Sequence, residues 1–169
     1  QVDLEAILHL IVERARTLVD AEASLLALRH EASDAFRMQA HSGCVPEALA
    51  SLHLRAGEGL GGRVIATGMP VVVHDYLTEF GDSPFLTAVG EAGVRATVAV
   101  PLKTQGHVMG VLYVCSSVPN AFLEDHRQIL SALADQTAIA MEKATLYQQL
   151  SAHAAELELR VQERTAALA

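Results

Sequence analysis

The residues of this chain best suited to chemistry are its eight histidines and two cysteines, and their spacing limits what they can do. His9, His30, His41, His53, His74, His107, His126 and His153 form no H-x-x-x-H or HExxH pair, so no zinc-ligand set is predicted. Cys44 and Cys115 are too few and too far apart for a disulfide framework or a zinc knuckle, and a reducing interior is the expected compartment. Cys115 stands inside a run of strand formers, where burial raises a thiol's pKa, which leaves Cys44, beside Gly43 in a loop, as the accessible thiol. No Ser-His-Asp arrangement stands out. Glu124-Asp125 opens a long helical stretch, where acidic side chains favour the positive end of the dipole, and capping explains the pair. No catalytic set is expected. Gly57, Gly59 and Gly62 satisfy G-x-G-x-x-G, but a dinucleotide site needs a buried strand before the glycines and a long helix after them. Here Gly68-Met69-Pro70 closes the helix after about two turns, so the glycines read as a tight helix entry.

Binding is better supported than catalysis. His74-Asp75 opens the loop from Tyr76 to Phe85 and sets polar groups beside Tyr76, Phe80 and Phe85. Pockets are mostly apolar with a few convergent polar groups, and this segment has both ingredients. The opposing reading is a capped turn whose aromatics fill core space. Arg95 and Thr97 open the next strand and could face the same cavity, with Arg95 either a fixed charge for an anionic ligand or simply solvated. The candidate ligand-binding residues are therefore His74, Asp75, Tyr76, Phe80, Phe85, Arg95 and Thr97.

The elements that must position them centre on Arg95 to Val114. Two apolar runs flank Lys103-Thr104-Gln105-Gly106-His107, in which Gly106 can take the positive φ of a short turn, so the segment reads as a β-hairpin. Pro101 is expected near a strand end or a bulge. Neither run alternates cleanly, which predicts a sheet covered on both faces. Leu4, Ile7, Leu8, Ile11, Ala15, Leu18 and Val19 predict an amphipathic helix from Val2 to about Val19. Ala23 to His30 and Ala35 to Ala40 read as a second hairpin around Glu31-Ala32-Ser33-Asp34. Short helices are expected over Pro46 to Ala50, Leu60 to Ala66 and Phe85 to Glu91, with a brief strand over Val71 to His74.

From Phe122 to Ala169 there is no Gly or Pro, so one helix of 48 residues is plausible, on the order of 70 Å long. Its first part carries Ile129, Leu130, Leu133, Ile139 and Met141 for the sheet. Its second part, Tyr147, Leu150, Ala154, Leu157, Val161, Arg164 and Leu168, is spaced alternately by three and four: a heptad seam with one polar interruption, pointing to a parallel homodimer. A solvated helical tail is the other reading. The chain stops while still helical, and a longer polypeptide is expected.

Whole-chain composition sets the remaining bounds. A chain of 169 residues, 51% hydrophobic and 19% charged, carries one full core plus an appendage: a domain over 1–150 and a helix over 151–169. No run reaches the length of a membrane span, and there is no basic n-region. A formal charge of −8 and a pI near 5.4 disfavour nucleic acid.

GEGLGGRVIATGMPVVVHD, VRATVAVPLKTQGHVMGVLYV and FLEDHRQILSALADQTAIAMEKATLY together resemble the GAF domain of bacterial signalling proteins, over most of residues 1 to 150. The resemblance implies an α+β, profilin-like fold. A central antiparallel sheet would carry the N- and C-terminal helices on one face and short helices and loops forming a pocket on the other. It implies a cytoplasmic sensor for a small molecule, without activity of its own. Tyr147 to Ala169 would be similar to a signalling helix leading to an output domain such as a histidine kinase. The alternatives are an unliganded structural dimerisation module, a haem sensor through one histidine, His74 or His41, and a thiol-based methionine sulfoxide reductase using Cys44. Photoreceptor relatives attach a bilin through cysteine, usually followed by His. Neither Cys44-Val45-Pro46 nor Cys115-Ser116-Ser117 matches that context. The cyclic-nucleotide signature of other relatives is present only in fragments: Asn120 is followed by Ala121, and the expected acidic pair falls on His126 and Arg127. No cofactor is named by these residues.

Overall fold

A computed structural model describes residues 3–31 and 33–168. Val2, Ala32 and Ala169, assigned above to the first helix, the first turn and the last helix, lie outside the described residues. The chain divides into two compact units, residues 1–138 and residues 139–169.

The first unit begins with α1 (Leu4–Leu18), where the Asp3 side chain accepts from the Glu5 N–H at 3.1 Å and satisfies one of the orphan donors of the first turn. Its buried residues, Leu8, Ile11, Val12 and Ala15, follow the helical period. Strands β1 (Ala23–Arg29) and β2 (Phe36–Gly43) form the first hairpin. There follow α2 (Glu47–Ala50), the two-residue strand β3 (His53–Leu54), α3 (Gly59–Thr67) and β4 (Val71–Val73). Within the expected loop the chain forms one extra turn, α4 (Tyr76–Glu79), before α5 (Leu86–Glu91). Strands β5 (Ala96–Thr104) and β6 (His107–Ser116) are the central hairpin, and α6 (Glu124–Leu168) follows. The six strands make one antiparallel sheet in the order β3-β2-β1-β6-β5-β4, which is the α+β arrangement expected from the sequence.

The central turn needs two left-handed residues. Gln105 (φ 51°) and Gly106 (φ 80°) provide them, closing β5 on β6 with Thr104 opposite His107. Pro101 pairs with Val111 beyond Ala99, the last β5 residue that β4 reaches, so its missing N–H lies where β5 is an edge strand.

Both faces of the sheet are buried, which is why its strands lack alternation. Leu26, Leu112, Val98, Val100, Leu102 and Val114 lie on one face and are fully or almost fully buried. Helix α1 packs on β1, β2 and β6 from this side, and Leu130, Leu133, Ala134, Thr137 and Ala138 in the early turns of α6, buried at helical spacing, are likewise no part of the cluster on the opposite face. The opposite face presents Leu25, Ala27, Thr97, Ala99, Val111, Tyr113 and Cys115. It meets a second cluster of Leu49, Leu54, Leu60, Val64, Tyr76, Phe80, Val89 and Val94 from the short helices and their connections. The second unit is helical through Leu168, and none of its described side chains is buried.

Candidate functional site

The pocket lies between the second face of the sheet and the short helices, with a volume of about 60 Å³. The sheet contributes Leu25, Met38, Thr97, Tyr113 and Cys115 as its floor. Leu49, Leu52, Leu54, Leu60 and Gly61 form one wall, and Tyr76, Phe85, Val89 and Val94 form the other. Strand register fixes the floor. Tyr113 stands between Leu25 and Ala99 on the neighbouring strands, and Cys115 between Ala23 and Thr97. Alternation along β6 turns Tyr113 and Cys115 toward the pocket while Leu112 and Val114 point to the other face.

The first turn of α3 approaches this floor so closely that a Cβ on Gly61 would lie 2.1 Å from the Tyr113 hydroxyl and 3.0 Å from Leu54 Cδ1. Only a hydrogen fits there. This is the physical reason for one glycine of the GEGLGG run, and it confirms the role of the run as a helix entry closed by left-handed Gly68.

Three of the seven candidate ligand residues, Tyr76, Phe85 and Thr97, line the pocket. The other four do not. Asp75 caps α4 by accepting from the Leu77 N–H at 3.2 Å, and Arg95 donates twice to it, Nε to Oδ1 at 2.9 Å and Nη2 to Oδ2 at 2.6 Å. The guanidinium hydrogen bond holds the Asp75 carboxyl below its ordinary value and raises Arg95 in turn. Arg95 is thus committed to a fork-shaped ion pair. His74 is exposed, and its backbone N–H and that of Asp75 both donate to Glu79 Oε2 at 2.7 Å. Phe80 is buried, stacks on Tyr76 with ring centroids 5.1 Å apart, and carries the Arg63 guanidinium 4.7 Å above its own centroid. These four residues tie down the segment that covers the pocket.

Inside the pocket most polar atoms have protein partners. Tyr76 Oη and Ser83 Oγ are 2.7 Å apart. Thr97 Oγ1 donates to the Val114 carbonyl at 2.8 Å and lies 3.7 Å from Cys115 Sγ, so the thiol is left to donate to the threonine oxygen. Burial pushes the Cys115 thiol up to about 11, against the opposing effect of Thr97. Burial also raises Tyr76 and, much further, Tyr113, where Cys115 and Tyr76 add to it. The Tyr113 hydroxyl is fully buried and has no hydrogen-bond partner among the described residues. Tyr113, Cys115, Gly61, Val89 and Val94 were absent from the sequence-derived candidates. The available signal was a tyrosine in an aliphatic strand, because a buried phenol normally finds a partner.

The two thiols differ in their surroundings. Cys44 is exposed and Cys115 is buried and protonated, although both border a separate cleft of about 230 Å³ that shares Val94 and Cys115 with the pocket. His74 and His41, the haem candidates, are exposed, no histidine lines the pocket, and its volume is far below that of a macrocycle site. The residues present do not fit haem. No group of three or more His, Cys, Asp or Glu among the described residues could hold a metal ion. No helix among them is long and apolar enough to cross a membrane.

Comparison with known proteins agrees with this architecture. The Nif-specific regulatory protein of Azospirillum lipoferum is 39% identical over 83 residues, which cover 46% of this chain and 13% of that protein. Among solved structures, the GAF domain of an Acinetobacter phosphoenolpyruvate-protein phosphotransferase superposes with a TM-score of 0.72 at 22% identity, covering 86% of each chain. A type II free methionine-R-sulfoxide reductase from Thermoplasma acidophilum superposes with a TM-score of 0.67 at 16% identity, covering 84% of this chain and 96% of that one. Both structural likenesses are of fold. The GAF domain description itself matches residues 1–142, and with the curled antiparallel sheet, its two helical covers and the pocket in place, the chain belongs to the GAF domain family.

Proposed function

We propose that this chain is a cytoplasmic sensory domain that binds a small molecule in the pocket above β1, β5 and β6 and signals through α6. The observation that carries this reading is the position of the pocket on a sheet whose other face holds the start of α6, a helix continuous from Glu124 to Leu168. Tyr76, Phe85 and Thr97 contact the ligand. His74, Asp75, Phe80 and Arg95 set the position of the covering segment and act on the ligand indirectly. The signalling helix pairs with a second copy in parallel through Tyr147, Leu150, Ala154, Leu157, Val161, Arg164 and Leu168, and passes the ligand state to a histidine kinase or a transcriptional regulator. The name of the Azospirillum relative supports a regulatory output.

A ligand present at a hundred times its dissociation constant adds about 2.7 kcal/mol to the native state, so a thermal-shift screen of small neutral metabolites against the whole chain tests the reading directly. A reproducible rise of several degrees supports it. If no compound raises the melting temperature and none co-purifies, the chain is a structural dimerisation module instead. Turnover of free methionine sulfoxide that disappears in Cys44→Ser would replace both readings with an enzyme.

A further inference from the structure

We infer that the pocket takes a small uncharged molecule with an apolar body and a single hydrogen-bond acceptor, the class of short-chain and cyclic ketones, and that the Tyr113 hydroxyl donates to that acceptor. The inference rests on reading the pocket as a ligand site. Three observations narrow the ligand.

The first is charge. No Asp, Glu, Lys, Arg or His lines the pocket, so an ionised ligand would lose its hydration with no counter-charge in return. The second is size. About 60 Å³ admits roughly four to six water-sized groups, which excludes nucleotides and tetrapyrroles in this arrangement. The third is the pattern of committed polar atoms. Tyr76 Oη is engaged with Ser83, Thr97 Oγ1 with the Val114 carbonyl, and the Cys115 thiol with Thr97. Tyr113 Oη is left without a partner among the described residues, and Tyr113 is only 7% exposed.

The phenol offers one O–H that packs against Gly61 and has no exposed surface of its own, so a ligand acceptor reaches it by parting the first turn of α3 from the sheet. Water is a poor occupant, because it needs two to four polar partners and Tyr113 supplies one. A ligand oxygen on an otherwise apolar skeleton satisfies the hydroxyl and the surrounding Leu25, Leu60 and Val89 together.

The test uses the full chain and three probes of nearly equal size: cyclopentanone, cyclopentane and butyrate. Affinities are measured by ligand-observed NMR on the parent and on Tyr113→Phe. Cyclopentanone is expected to bind the parent about tenfold more tightly than cyclopentane, and butyrate not at all. Tyr113→Phe removes that gap without weakening cyclopentane. A second readout needs no substitution: the Tyr113 Cζ resonance shifts with cyclopentanone and stays put with cyclopentane. Equal affinity for ketone and cycloalkane in the parent, or a gap that survives in Tyr113→Phe, overturns the inference while the pocket remains a ligand site. If neither probe nor xenon enters, the pocket reading falls and takes this inference with it.

Discussion

Tyr113 concentrates the tension of the site in one atom. A buried hydroxyl without a protein partner costs about 1–3 kcal/mol, whereas a satisfied one contributes about 1 kcal/mol. Tyr113→Phe is therefore expected to leave the unliganded chain as stable as the parent or about 1 kcal/mol more stable in urea unfolding. A loss of more than 1 kcal/mol would mean that the hydroxyl is bonded within the fold. Cys115, on the same strand, makes a prediction about pH. Its thiol has an ordinary value of 9.0 and is pushed up to about 11 by burial. Between those values the folded chain holds a proton that the unfolded chain has released, so stability falls as pH rises through that window and does not depend on the thiol below about pH 9. Tyr113 and Tyr76, raised from an ordinary 10.0, steepen the decline at the alkaline end. Urea midpoints measured from about pH 8 to pH 11 should show the fall, with a shallower slope in Cys115→Ala. Neither residue could be assigned to the pocket face from the sequence. Val111 to Val114 is apolar at every position, so its periodicity does not say which side chains face the pocket, and only strand pairing does.

At the scale of elements, the covering segment and α3 do different jobs. The segment from His74 to Phe80 is held by short-range polar contacts: Asp75 and Glu79 cap its turn, and Arg95 locks Asp75 to the edge of β5. Arg95→Ala removes the lock and leaves the apolar core in place. Amide exchange over Tyr76 to Phe80 should accelerate while the global melting temperature changes little, and unchanged exchange would show that the aromatic stacking suffices. Helix α3 is placed by close approach instead. Gly61→Ala drives a methyl group into the Tyr113 hydroxyl, so it should destabilise the chain by about 1–3 kcal/mol and reduce ligand uptake. The contrast explains what could be read beforehand. The long amphipathic helices, both hairpins and the stop at Gly68 rest on local rules of spacing and turn chemistry, and their positions followed from the sequence within a residue or two, except that β2 runs three residues past Ala40 to Gly43. Strand β3 and the α4 turn are too short to carry a period, and β3 exists because Phe36 and Arg37 pair with it. His74, Asp75 and Arg95 looked like ligand groups because composition shows polarity, and only the three-dimensional structure shows that Asp75 and Arg95 are engaged with each other and that His74 is exposed.

For the whole molecule, the question is whether occupancy of the pocket reaches the end of α6. Every pocket residue belongs to the unit of residues 1–138, and the seam belongs to the unit of residues 139–169. Leu150, Leu157 and Val161 are 66%, 54% and 63% exposed, an apolar stripe that a second copy would cover. In the proposed parallel pair, a coil of about three heptads with Arg164 in its seam would be marginal, so a modest energy would shift its pairing. Leu157→Lys places two like charges opposite each other in a parallel pair and is expected to give a monomer in light scattering at micromolar concentration, while Arg164→Leu tightens the dimer. Linkage then adds a quantitative requirement. If ligand changes the dimerisation constant by some factor, dimerisation must change ligand affinity by the same factor per dimer. A ligand preferring one state by about 100-fold supplies about 2.7 kcal/mol, enough to reset such a coil. The probe ketone should thus bind the parent dimer and the Leu157→Lys monomer with different affinities, whose per-site ratio is the square root of the change that saturating ketone makes in the parent's dimerisation constant. Equal affinities with an unshifted dimer would leave pocket and helix as independent parts, and transmission along α6 would have to be abandoned even if the pocket binds its ligand.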